Sequence, residues 1–158
     1  MFYFRFLKDH SGKDEHFWRN AIDSPSRRVW AGLTFEQLCK DHIRQIKQKL
    51  GIAGVLSEES TWFIRAKDTQ ESERGAQIDL LISRRDHVTN LCEIKFSVNE
   101  YEIDKDDEEN LRNKIAAFQK NTGSKDTLAL TMITTDGVKK NLHSSIVNSQ
   151  VVLEDLFV

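Results

Sequence analysis

The sequence has only two cysteines, and neither their spacing nor that of the histidines is typical of a zinc site. Cys39 and Cys92 each stand in an apolar pattern, so we expect two buried thiols in a reducing cytoplasm. The five histidines are scattered, and none stands beside a serine or cysteine in a way that favours a nucleophilic triad. Zinc sites and nucleophilic enzymes are therefore not indicated.

A long apolar run, a phosphate-binding loop and an excess of basic residues are also absent. The aromatic run at residues 2–7 is short and interrupted by Arg5, which excludes a signal peptide or a membrane span, and we expect no membrane partner. Without a GxxxxGK[ST] motif, the chain is not expected to bind or hydrolyse ATP. A formal net charge of −2 argues against strong free-standing nucleic-acid binding, but weak binding is compatible with hydrolysis at a metal-loaded site.

The length of 158 residues suits one domain. We divide the chain into an aromatic-rich segment at residues 1–23 and a folded domain at residues 24–158. Large apolar side chains at a terminus need a partner surface. We expect the segment to pack on this domain's own helices, on a neighbouring chain in a homo-oligomer, or on an upstream domain.

Two apolar segments between Gly75 and Phe96 carry three charged residues, Asp79, Glu93 and Lys95. Their composition is typical of buried strands, where an unpaired charge is costly. The polar residues 83–90 between them predict a hairpin centred near Asp86. That register places Asp79 opposite Glu93, with β-carbons roughly 5 Å apart.

Side chains alternate between the two faces of a strand, so one face of the hairpin should be polar and the other apolar. We expect Gln77, Asp79, Glu93 and Lys95 to converge on the polar face. The opposite, core-facing set is predicted to contain Ile78, Leu80, Ile82, Cys92, Ile94 and Phe96.

Two close carboxylates repel each other, which favours a hard divalent cation such as Mg²⁺ between Asp79 and Glu93. The cation can polarise a phosphoryl oxygen, and Lys95 can stabilise negative charge or orient a water molecule. This arrangement is suited to phosphodiester hydrolysis. The ordinary alternative is a solvated sheet face on which Asp79 belongs to a cross-strand charge pair.

These residues resemble the signature of the PD-(D/E)XK nuclease superfamily, with Asp79 on one strand and Glu93, Ile94 and Lys95 on the next. The strings GAQIDLLI and LCEIKF are similar to the C-terminal nuclease-like domain that follows the ATPase module of bacterial AAA-type, archaeal-type ATP-binding proteins. The similarity extends from residue 16 to residue 157. The proline that gives the superfamily its name is absent, and Gln77 and Ile78 precede Asp79.

The resemblance implies an α/β fold with a restriction-endonuclease-like core, in which a mixed β-sheet is flanked by helices. It implies a metal-dependent nuclease that cuts DNA, with an upstream or partner ATPase domain. Asp79 and Glu93 would hold Mg²⁺ or Mn²⁺, with the Ile94 carbonyl as a further ligand and Lys95 assisting the attacking water. The alternative is a catalytically inactive module that binds DNA or docks on and regulates an ATPase.

A first helix is expected from a Ser24 cap and Pro25 to a stop at Gly51. Its apolar stripe comprises Phe35, Leu38, Cys39, His42, Ile43, Ile46 and Leu50. Glu36 lies about 80° from the middle of this stripe. The superfamily often has a Glu on this helix that completes the metal site, and Glu36 matches by position. A solvated surface Glu is the alternative, and both interpretations stay open.

A second helix is predicted at residues 106–121, with Leu111, Ile115 and Phe118 as its apolar stripe. Related nucleases often place a Lys or Gln here to position phosphate or water, which makes Lys114 and Gln119 substrate candidates beside Gln77. Ordinary polar surface residues are the alternative. Further strands are expected at residues 62–67 and 127–134, and a short strand with a helical turn at 151–158.

Overall fold

A computed structural model of the protein describes residues 25–65 and 75–158. Within these ranges the fold is α/β, with a five-stranded mixed sheet flanked by helices on both faces. The predicted Ser24 cap, the segment at residues 1–23 and the end of the predicted strand at Lys67 lie outside the described residues.

The helices are α1 (Pro25–Asp41), α2 (Ile43–Lys49) and α3 (Lys105–Thr122). The strands are β1 (Ser57–Ile64), β2 (Ala76–Arg84), β3 (Val88–Lys95), β4 (Thr127–Thr134) and β5 (Ser149–Val152), and 3₁₀ helices form at His143–Ile146 and Leu153–Phe157. None of the described helices is long and apolar enough to cross a membrane.

The strands lie in the order β1-β2-β3-β4-β5. Strands β1, β2 and β3 are antiparallel, and β3, β4 and β5 are parallel to one another. In the β2–β3 hairpin, Leu80 pairs with Cys92 and Ser83 with Thr89, which is symmetric about Asp86. The predicted hairpin centre is therefore confirmed.

The predicted first helix is two helices, because the helix is interrupted at His42, which has φ of −114° and ψ of 29°. The His42 amide bonds to the Cys39 carbonyl at 3.1 Å instead of to the Leu38 carbonyl that a regular α-helix would use. The His42 ring nitrogen Nδ1 lies 2.8 Å from that Leu38 oxygen and donates to it. The apolar stripe is confirmed, since Phe35, Cys39 and Ile46 are buried.

Helix α3 agrees with its prediction to within one residue at each end. The Asp104 side chain accepts a hydrogen bond of 2.8 Å from the Asp107 amide and caps the helix start. Gly123 ends the helix in the left-handed conformation, with φ of 63°. Leu111 and Phe118 are buried as predicted.

The Asp104 cap gives a first prediction on stability. Asp104→Ala should lower the free energy of unfolding by about 1 kcal/mol, because one amide at the helix start loses its acceptor. Asp104→Ser keeps an acceptor and should stay near the wild-type value. Urea denaturation followed by circular dichroism measures both, and equal stability of the Ala and Ser variants would contradict the capping role.

Apolar side chains cover both faces of the sheet. On the first face, α1 and α2 pack on a cluster of Phe35, Cys39, Ile46, Ile52, Leu80, Ile82, Cys92, Ile94, Ile133, Val151 and Leu156. On the second face, α3 packs on Ile78, Leu81, Leu91, Phe118, Ile103, Leu111, Leu130, Met132 and Val138. Both cysteines are free and buried as expected, and burial raises the pKa of each thiol to about 12.

Strand β1 begins at Ser57, five residues before its predicted start. It lies at the sheet edge and is largely exposed, so its polar first half gave no apolar signal. Strand β4 has its predicted bounds and is an interior strand. The short last strand and helical turn are also confirmed.

A β-bulge in β2 changes which side chains face the core. Ser60 pairs with Leu81 but Trp62 pairs with Ile78, so β2 has one extra residue in this interval. Ile78 therefore lies on the α3 face with Leu81, and its predicted place beside Leu80 is wrong.

The predicted core position of Phe96 is also wrong, since this residue is 42% exposed. Its ring packs edge-on against Phe35, with the centroids 6.2 Å apart, so it lies at the border of the first cluster. The other four members of the predicted core-facing set are buried in that cluster: Leu80, Ile82, Cys92 and Ile94.

Candidate active site

Asp79 lies at the bulge, where the pairing of β2 with β3 ends. The regular ladder reaches Leu80 and Cys92, and beyond it the Asp79 oxygen Oδ2 accepts a hydrogen bond of 3.0 Å from the Ile94 amide. A carboxylate thus replaces the main-chain acceptor of an ordinary ladder. Because the N–H and C=O of a strand residue point to the same edge, the Ile94 carbonyl is directed towards β2 as well.

Glu93 is buried on the α3 face of the sheet and is held by two ammonium groups. It is 3% exposed. Lys114 Nζ lies 2.7 Å from Oε1 and 2.8 Å from Oε2, and Lys95 Nζ lies 2.9 Å from Oε1. A buried carboxylate requires such partners, so the two ammonium groups of this three-residue ion cluster stabilise Glu93 in its buried position.

The charges at the site act on one another across the hairpin. Burial raises the pKa of Asp79, and the Glu93 charge raises it further, whereas the Ile94 hydrogen bond and Lys114 lower it. Burial alone would lower the pKa of Lys95, but the attraction of Glu93 outweighs this and the net shift is upward. A further cation would therefore stabilise the ionised form of Asp79, and Lys95 is an ammonium at neutral pH.

Glu36 lies on α1 and pairs with Lys40, whose Nζ is 2.6 Å from Oε1. This is an ordinary pair of residues four apart on a half-buried helix surface. The Glu36 charge nevertheless adds a small upward contribution to the pKa of Asp79. Glu36 is thus close enough to act on Asp79 through its field, and its carboxylate is held by Lys40.

Lys114 is the substrate candidate that the structure brings to the site. Gln119 follows it by five residues, about 140° further around the helix, and is exposed. Gln77 is exposed and pairs with Phe63. Since Gln77 is adjacent to Ile78, the bulge places it on the opposite face from Glu93, and its predicted convergence with Glu93 is wrong.

Asp107 and Tyr101 border the site and were missed in the sequence. The Tyr101 hydroxyl donates to Asp107 Oδ2 at 3.0 Å, and burial followed by the Asp107 charge raises the pKa of this tyrosine. Asp107 also contributes to the raised pKa of Lys95. It stands seven residues before Lys114, two turns along one helix face, which is the sequence signal that would have identified it.

The chain matches no protein-family model, no curated protein and no solved structure. No group of three or more acidic, histidine or cysteine side chains arranged to hold a metal ion occurs in residues 25–65 and 75–158.

The donor set at the hairpin nevertheless fits a hard cation. Two carboxylates, Asp79 and Glu93, and the Ile94 carbonyl are all oxygen ligands, and Mg²⁺ commonly uses one or two carboxylates while keeping several waters. Burial and the Glu93 charge both raise the pKa of Asp79, and a bound cation would act in the opposite direction.

Proposed function

We propose that the chain is a metal-dependent nuclease module that hydrolyses DNA phosphodiester bonds on a restriction-endonuclease-like core. One observation carries the proposal: at the bulge the Asp79 carboxylate accepts a hydrogen bond from the Ile94 amide, and on either side of Ile94 the Glu93 carboxylate contacts the Lys95 ammonium. A mixed β-sheet flanked by helices is the fold class that the resemblance implies, which supports the same proposal.

Asp79, Glu93 and the Ile94 carbonyl would hold Mg²⁺ or Mn²⁺. When bound, the ion would polarise a phosphoryl oxygen and lower the pKa of a bound water. The Lys95 side chain is 38% exposed, so its ammonium can meet an incoming phosphate while keeping its contact with Glu93. Lys95 thereby stabilises the negative charge that develops on the phosphate or orients the attacking water.

The test is cleavage of plasmid and single-stranded DNA with Mg²⁺ or Mn²⁺. Asp79→Asn and Lys95→Ala should each reduce the rate by about a hundredfold or more, because one removes a charged ligand and the other removes a cation at the developing charge. Lys125→Ala, on the exposed turn after α3, is the matched control and should retain the wild-type rate. Equal rates in all four proteins would reject the assignment.

A second candidate function is a non-catalytic module that binds DNA or docks on an upstream or partner ATPase domain. The observation that favours it is the occupation of both Glu93 oxygens by Lys114. Such a module has no need of a divalent ion. Calorimetry with Mn²⁺ separates the two functions, since only the nuclease takes up the ion in a manner that depends on Asp79 and Glu93.

A further inference from the structure

Lys114 occupies the oxygens of Glu93 that a metal ion would use. Its ammonium contacts both of them at 2.7 and 2.8 Å, whereas Lys95 contacts one. An ammonium and a divalent cation cannot share the same lone pairs at such distances, and their like charges repel each other. Full ligation of a metal by Glu93 therefore requires Lys114 to withdraw.

The surroundings explain why the ammonium is held so closely. The Lys114 side chain is 15% exposed, and the space around the pair is lined by Ile78, Leu91, Leu111, Ile115 and Leu130. In such apolar surroundings each charge depends on the other, because neither is fully solvated. Lys114 makes two of the three ammonium contacts described for Glu93, and Lys95 makes the third.

We infer that Lys114 is a built-in competitor for the metal ion at Glu93. The inference rests on the proposed function, since it assigns a role at the same metal site. A cation binds by displacing the Lys114 ammonium from Glu93, while Lys95 keeps its more exposed position. The affinity of the wild-type site is consequently lower than its carboxylates alone would give.

The test is Mn²⁺ binding by calorimetry at fixed pH and ionic strength, with no substrate present. Lys114→Met removes the ammonium and should bind Mn²⁺ roughly tenfold more tightly or better, because the ion then meets a carboxylate that only Lys95 contacts. Its thermal midpoint should also rise more on adding Mn²⁺ than that of the wild type. Lys125→Met makes the same charge change away from the site and should bind as the wild type does.

A second variant covers the case in which Lys114→Met does not fold without metal. Lys114→Gln keeps a neutral hydrogen-bond donor beside Glu93 and should also bind Mn²⁺ more tightly than the wild type. Affinity equal to or weaker than that of the wild type in the folded variants would overturn the inference.

Glu93→Gln separates this failure from failure of the proposed function. If the wild type binds Mn²⁺, Glu93→Gln does not, and the Lys114 variants bind no more tightly than the wild type, only the competitor role is lost. If none of these proteins takes up Mn²⁺, both the competitor role and the nuclease are rejected.

Discussion

Glu93→Ala should lower the free energy of unfolding by about 3–5 kcal/mol, the usual effect of removing one partner of a buried ion pair. The variant leaves Lys114 largely buried among apolar side chains without its carboxylate. It also removes the contact of Lys95, so both ammonium groups lose the carboxylate that they contact directly. Urea denaturation in metal-free buffer measures the loss.

Two further variants control this result. Glu109→Ala, at an exposed position on the same helix α3, should change the stability by no more than about 0.5 kcal/mol. Combining Glu93→Gln with Lys114→Met removes both charges and should recover much of the stability lost in Glu93→Ala. A loss below about 1 kcal/mol for Glu93→Ala would show that the cluster is solvated rather than buried.

Ile133→Ala should be similarly costly, lowering the free energy of unfolding by about 2–5 kcal/mol. Ile133 is 0% exposed and belongs to the cluster that joins β3, β4 and β5 to α1 and α2. Truncation removes apolar contacts and leaves a cavity that the surrounding strands cannot close.

Leu142→Ala is the matched control for the core substitution. Leu142 is 85% exposed, so its truncation should change the stability by no more than about 0.5 kcal/mol. Urea denaturation of both variants gives the comparison. Similar losses for Ile133→Ala and Leu142→Ala would contradict the placement of the core.

The hairpin could be predicted because its signal is local. A polar stretch between two apolar segments fixes the turn, and the turn fixes which residues face each other. Helix α3 could be predicted for the same reason, since its apolar stripe and its Gly123 stop are encoded within one short segment of sequence. These local features give the α/β fold class and the hairpin register as far as Leu80 and Cys92, whereas Asp79 lies beyond the regular ladder.

Features that depend on competition between side chain and main chain could not be predicted. At His42, where the helix is interrupted, an imidazole nitrogen takes the carbonyl that a regular helix would use. At the bulge in β2, the Asp79 carboxylate takes the Ile94 amide that a regular ladder would pair with a main-chain carbonyl. Each exchange interrupts a regular helix or strand ladder, although the local composition still favours the regular element.

Of the two ammonium partners of Glu93, only Lys95 could be placed near it from the sequence. Spacing on β3 places Lys95 on the same face, because the two residues are two apart. Lys114 comes from a helix 21 residues later, and only the packing of α3 on the sheet determines that it reaches Glu93. This long-range contact decides the electrostatics of the site.

The most direct measurement is a crystal structure of the wild-type protein soaked with Mn²⁺. The account predicts an anomalous density peak between the Asp79 and Glu93 carboxylates, with the Lys114 ammonium withdrawn from Glu93. An unchanged Lys114–Glu93 pair with no peak at these side chains, at a Mn²⁺ concentration that saturates surface sites, would contradict it.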